Sequence, residues 1–296
     1  MDVLAIPFPA IDPVAFALGP VEVKWYGLAY MAGLLLGWLY IRRLITTPSL
    51  WPNNEAPFDQ AKTDDLLIFM TVGVILGGRL GYVLFYEPGD YAANPLSALY
   101  IWEGGMAFHG ALLGCGVAVW LFARVNGVSV FSSMDLCAAA VPIGLFFGRL
   151  ANFINAELWG RETSLPWGMI FPGVAGYLGE PTDEPRQALG WDPLAPRHPS
   201  QLYEALLEGL VLFLVIRFLT HRYDALKTPG VAVGTFLLGY GLARSFCELF
   251  RQPDPFHPLT ASGLTAGIAY SIPMMLLGAF FIWRARRTGP IGEAAS

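Results

Sequence analysis

Charge is scarce in this sequence. Only 14% of its 296 residues are Asp, Glu, Lys or Arg, whereas soluble domains carry about 25%. Hydrophobic residues make up 55% of the chain, and the mean hydropathy is +0.50. These values exclude an ordinary soluble domain and indicate an integral membrane protein. Cysteine is also rare: Cys115, Cys137 and Cys247 all fall in apolar segments, and no two form a CxxC pair. Neither a disulfide framework nor a zinc site is expected, and the three read as small buried hydrophobes. There is no GxSxG element and no Walker loop, and the carboxylates do not gather as paired Asp motifs. A metal-dependent phosphotransferase is therefore disfavoured, and no metal or cofactor is expected. No internal repeat or low-complexity stretch stands out. The net charge of −5 says little about partners, and nucleic acid is not among those expected. The N-terminus lacks the basic n-region of a signal peptide. With Pro7, Pro9, Pro13 and Pro20 it reads as an interfacial or re-entrant lead-in rather than a helix.

What the chain does have is long apolar runs. A bilayer core needs about 20 residues of helix. Seven runs qualify or nearly do: 26–45, 66–86, 106–124, 134–154, 202–220, 230–248 and 262–283. The expected fold is an all-α polytopic membrane protein of about seven transmembrane helices. Residues 1–296 would form a single integral membrane domain, with 155–200, rich in Pro, Gly and Trp, as a small extracytoplasmic lobe between helices 4 and 5. Ten basic residues sit at one set of ends: Arg42, Arg43, Lys62, Arg124, Arg217, Arg222, Lys227, Arg284, Arg286 and Arg287. The loop at 87–104 on the other side has none. The positive-inside rule puts the N-terminus outside, the C-terminus in the cytoplasm and the lobe outside.

The remaining basic residues are costly where they stand. Arg79, Arg149, Arg244 and His109 lie inside apolar runs, and an intramembrane arginine costs at least a few kcal/mol unless it is paired or faces water. With this orientation they share the outer half of the bilayer with Tyr26. Each also has a plainer reading. Arg244 and Glu248, at i,i+4, can neutralise one another. Arg149 can snorkel to the headgroups, His109 can be a packing residue, and Arg79 can be a structural partner. Their clustering at one depth favours a site. Arginine forks match phosphate oxygens, so a phospholipid head is the ligand they suit.

Five stretches are specific enough to identify a family: GGRLGYVLFY (77–86), FHGALLG (108–114), GRLANFINAELWGR (148–161), RHPSQLYEA (197–205) and GYGLARSFCELFRQPD (239–254). In this order they resemble bacterial prolipoprotein diacylglyceryl transferase over nearly the whole chain. Ala156 and Ala111 stand where that family has glycine. The resemblance implies transfer of the diacylglyceryl group of phosphatidylglycerol to the lipobox cysteine thiol of a prolipoprotein. Glycerol 1-phosphate is released at the outer face of the bacterial cytoplasmic membrane, in the first step of lipoprotein maturation. Membrane lipid and prolipoprotein signal peptides would be the partners. It also implies Arg149 and Arg244 as essential arginines, with Asn152, Gly160, Glu248, Arg251, Tyr26, Tyr240 and His109 around them.

The chemistry assigns expected roles. Arg149 and Arg244 would stabilise charge on the departing phosphate. Asn152, one helical turn after Arg149, would bond the glycerol head. Glu157 and Arg161 would hold the segment that follows. The thiol proton would pass to His109, with Glu248 or the substrate phosphate as alternatives. A rival reading is an anionic phospholipid-binding or transport protein using the same arginines, which would require inverted repeats and broken helices.

Overall fold

The computed structural model describes residues 5–9, 11–19, 21–85, 88–101, 105–178, 189–253 and 265–289. In chain order its elements are strands β1 (Ile6–Pro7), β2 (Val14–Leu18) and β3 (Val21–Lys24), followed by helices α1 (Trp25–Ile45), α2 (Lys62–Phe85), α3 (Pro88–Ala93), α4 (Phe108–Asn126) and α5 (Val130–Ile154). Then come strand β4 (Met169–Ile170) and helix α6 (Pro172–Leu178). An unbroken helical segment is made of α7 (Ser200–Glu204), a π-helical stretch (Ala205–Val211) and α8 (Leu212–Arg222). Helices α9 (Val231–Cys247) and α10 (Ala266–Thr288) complete the chain.

Each of the seven apolar runs falls on helix. The last runs on to Thr288, past the expected end, and its first residues, 262–264, lie outside the described ones. Helices α1, α2, α5 and α10 are each long and apolar enough to cross a membrane, and α9 and most of α4 are shorter apolar helices. The chain is a polytopic helical membrane protein.

The all-helical expectation needs correction at the N-terminus. The lead-in is extended: β1 pairs in parallel with β4, and β2 pairs antiparallel with β3. Prolines there block helix, and the backbone of β1 finds its hydrogen bonds in the segment after α5, while β2 and β3 satisfy one another. Phe8 follows β1 into a small apolar cluster with Phe153, Trp159, Phe171 and Val174.

Helix ends follow local chemistry. Asp64 and Asp65 lie in the first turn of α2, and Arg42 and Arg43 in the last turn of α1, each favourable to the helix dipole. Ser129 caps α5 by accepting from Ser132 N at 3.2 Å. The cap of α9 comes from another helix: Asp135 of α5, fully buried, accepts from Gly230 N and Val233 N, each at 2.7 Å. It offsets orphan donors at a buried helix start.

Glycine sets the closest helix contact. Gly73, Gly77 and Gly81 of α2 face Gly110 and Gly114 of α4, and a Cβ on Gly81 would come within 2.8 Å of Gly110 Cα. Backbones this close gain dispersion contact that larger residues prevent. The main apolar core, including Leu44, Trp51, Phe122, Leu136 and Ile216, lies toward the ends that carry the basic residues. At the opposite ends, α1 and α7 begin and α5 and α9 finish.

Candidate active site

At those opposite ends the apolar sequence gives way to charge. Arg149 projects from the last turns of α5. Arg244 and Glu248 leave the end of α9 one turn apart, and Arg251 follows in the next turn. Glu204 ends α7, and Glu208 lies four residues on, in the π-helical stretch. Wide helical turns of this kind are rare and concentrate at functional sites. Gly209 lets this stretch press on α5, since a Cβ there would sit 2.7 Å from Phe146 Cα.

The six side chains form one ion-paired cluster. Arg149 Nε and Nη2 donate to Glu208 Oε2 at 3.2 and 3.0 Å, and its Nη1 lies 3.0 Å from Glu204 Oε2. Arg244 Nη1 donates to Glu204 Oε1 at 2.7 Å, and its Nη2 lies 2.8 Å from Glu248 Oε2. Arg251 Nη1 donates to the same Glu204 Oε1 at 3.0 Å. Glu208 Oε1 is 3.9 Å from Arg244 Nη1 and has no hydrogen-bond partner among the described residues. The carboxylates of Glu204 and Glu208 are wholly buried, whereas Arg149, Arg244 and Arg251 keep 16%, 14% and 18% of their side-chain surface open. The carboxylates stand behind and the arginine edges face outward. Such edges are donors fixed in advance of an anionic ligand.

A second ring surrounds this cluster. Asn152 Nδ2 donates to Glu157 Oε1 at 2.8 Å, and Asn155 makes a longer bond of 3.5 Å to the same oxygen. The Tyr26 and Tyr30 hydroxyls are 3.2 Å apart. Tyr26 lies in the electrostatic reach of Arg149 and Glu157, and Tyr240 in that of Glu208, Arg149 and Arg244. Ala156 holds a left-handed φ of 52°. A Cβ there costs about 1–2 kcal/mol, and burial of that methyl among Trp159 and Phe171 offsets part of it.

The exit from α5 is tied to α7 and to the chain beyond α9. Gln201 Nε2 donates to Glu157 O at 2.6 Å, and Ser200 Oγ to Leu158 O at 3.0 Å. Gly160 N donates to His198 O at 2.9 Å, and Arg161 N to Phe250 O at 2.8 Å. Arg161 Nε donates to Arg251 O at 3.1 Å. Buried Arg197 reaches Glu162 at 2.9 Å and Gln252 at 3.2 Å. Burial pushes the neighbouring His198 below the usual imidazole range, which favours its neutral form.

Of the residues singled out from the sequence, Arg244 and Glu248 meet directly, and Glu204 joins Arg149 and Arg251 to them, with Tyr240, Asn152, Glu157 and Tyr26 nearby. Arg149 does not snorkel away, because Glu204 and Glu208 hold it. Gly160 and Arg161 belong to the junction behind, making backbone contacts. The side chain of His109, in the first turn of α4, lies outside the described residues. Arg79 sits apart from the arginine cluster. It donates to the carbonyls of Ser97, Ala98 and Gly105 at 2.7, 2.9 and 3.1 Å and lies over the Tyr91 ring, pinning the loop after α3. Glu204 and Glu208 were not singled out from the sequence. Their signal was two carboxylates at i,i+4 inside an apolar run, a costly arrangement without partners.

Known proteins resemble this chain over most of its length. Residues 13–284 match the family model described as prolipoprotein diacylglyceryl transferase. The chain is 51% identical over 282 residues to the phosphatidylglycerol–prolipoprotein diacylglyceryl transferase of Rhizobium meliloti (strain 1021), covering 95% of this chain and 94% of that one. It is 48% identical over 284 residues to the protein of the same name from Phenylobacterium zucineum (strain HLK1), covering 95% of each.

Proposed function

Because the chain belongs to the prolipoprotein diacylglyceryl transferase family, we infer that the arginine cluster is where it moves the diacylglyceryl group of phosphatidylglycerol onto a prolipoprotein cysteine. The activity is that of a transferase in the first step of lipoprotein maturation. The observation that carries the site reading is the set of three arginines, drawn from α5, the end of α9 and the turn beyond it, with their edges open and their backs buried.

The reaction forms a bond between the cysteine sulfur and the glyceryl carbon. It breaks the bond from that carbon to the phosphate oxygen, and glycerol 1-phosphate departs with the electron pair. Arg149 and Arg244 stabilise the charge growing on that phosphate. One such donor is commonly worth about 2.7–4 kcal/mol of barrier. Asn152, held by Glu157, and Tyr26 flank the glycerol head. A cysteine thiol has a pKa of about 8.5, and its thiolate is the reactive form, so a base assists. His109 is the first candidate, followed by Glu248 and the substrate phosphate. No metal or cofactor enters these steps.

The ten basic residues at the far helix ends support a cytoplasmic position for those ends, with the arginine cluster toward the outer face of the bacterial inner membrane. Several of these arginines lie over aromatic rings, as Arg42 does over Trp38 at 4.5 Å and Arg287 over Trp283 at 4.3 Å, an arrangement suited to a headgroup interface. On this reading there are seven crossings, residues 155–200 form an extracytoplasmic lobe, and the lipobox of the prolipoprotein approaches from that side. The test is purified protein mixed with phosphatidylglycerol and a lipobox peptide. Glycerol 1-phosphate release matched by lipidated peptide supports transfer. Lipid binding without release would favour a binding or transport protein.

A further inference from the structure

The position of Glu204 raises a question that the transfer reading leaves unanswered. Its carboxylate is fully buried and serves three arginines at once. Oε1 takes Arg244 at 2.7 Å and Arg251 at 3.0 Å, and Oε2 faces Arg149 at 3.0 Å. These arginines come from α5, from α9 and from the turn beyond α9, and among the described residues the carboxylate that pairs with all three is Glu204, whereas Glu208 reaches Arg149 and Arg244 alone. Glu204 stands on the buried side of the guanidinium groups and leaves their outer edges open.

The charges of the cluster sharpen the point. Arg149, Arg244 and Arg251 are matched one for one by Glu204, Glu208 and Glu248. A phosphatidylglycerol phosphodiester carries one negative charge. The monoester that leaves carries close to two, because its second pKa is about 6. Three uncompensated arginines would therefore bind the product more tightly than the substrate, and turnover would stall on product release. A carboxylate behind them lowers the net charge while keeping every donor aimed.

We propose that Glu204 is a positioning residue for the transfer reaction: it fixes the three arginines relative to one another and tempers their charge, so that the phosphodiester is held and the phosphate monoester is let go. The inference rests on the transfer reading above. It predicts an unusual signature for Glu204→Gln, which keeps the shape and one acceptor oxygen but removes the charge. Turnover should fall by about a hundredfold, the cost of misaligned reacting groups. Affinity for the product should rise by about tenfold, through the extra net positive charge.

The experiment is calorimetric titration of the full-length, detergent-solubilised protein with glycerol 1-phosphate, alongside kcat and KM for phosphatidylglycerol. Tighter product binding with slower turnover is the expected result. A residue that only held the fold would lower the folded fraction and leave product affinity per folded molecule unchanged. Folded Glu204→Gln that binds glycerol 1-phosphate no more tightly than wild type overturns the proposal. If that variant does not fold, the charge-balanced Glu204→Gln/Arg251→Gln protein carries the test. It should bind the product within about threefold of wild type and turn over slowly, and binding weakened beyond tenfold overturns the proposal. Failure of the wild type to release glycerol 1-phosphate from phosphatidylglycerol with the lipobox peptide present would instead remove the transfer reading of this site, and the inference with it.

Discussion

Replacing Gly160 by alanine should cost both stability and activity, and the structure supplies the magnitude. A Cβ built at Gly160 lies 2.6 Å from each of His198 Cβ, His198 O and Phe250 O, against the 3.4 Å where ordinary contact begins. None of these is the tip of a flexible side chain, so two backbone segments must part by about 0.8 Å. Overpacking of this kind typically costs about 1–3 kcal/mol. One segment leads through Ser200 and Gln201 to Glu204, and the other carries Arg251. Displacements near 1 Å in a reacting constellation are worth about a hundredfold in rate. Gly160→Ala should therefore insert in the membrane, melt a few degrees lower, and transfer diacylglyceryl groups about a hundred times more slowly. Thermal unfolding in detergent and the glycerol 1-phosphate release assay measure the two effects. Wild-type turnover in a folded Gly160→Ala protein would refute the idea that this junction positions the cluster.

Further outcomes follow from other parts of the fold. Asp135→Asn puts an amide nitrogen against one of the N–H groups that start α9, and should destabilise the protein by about 1–3 kcal/mol while leaving the arginine cluster composed as before; an unchanged melting point would show that the cap is dispensable. His109→Gln should slow transfer at neutral pH by about 10²- to 10⁴-fold if His109 is the base, and the deficit should shrink as pH approaches the thiol pKa; a deficit constant from pH 7 to 9 would assign it to packing. A reporter active only outside the cytoplasm, fused to the C-terminus, should be silent, and a signal from it would invert the orientation.

Much of the fold was legible because membrane helices announce themselves by length and hydropathy. α1, α2 and α5 begin within about four residues of their apolar runs and end within one. The extended lead-in was not, because β1 has two residues and its partner, Met169–Ile170, lies more than a hundred residues away. Ladders this short have no period to read. The arginines of the site stood out as misplaced charges, and Glu248 as an i,i+4 partner. Glu204 and Glu208 escaped notice because their partners lie 40 to 60 residues away in sequence, where no local spacing applies. Arg79 was readable as an anomaly only. It bonds backbone carbonyls, which any residue can supply, so nothing in the sequence points to them.

The central claim is that the open edges of the arginine cluster stabilise the departing phosphate. The most direct measurement is glycerol 1-phosphate release by Arg149→Lys, normalised to correctly inserted protein. Lysine keeps the charge but loses the planar fork that spans Glu204 and Glu208. The account predicts insertion comparable to wild type with release reduced by at least about a hundredfold. Near-normal release from that variant would remove Arg149 from the chemistry and contradict the account.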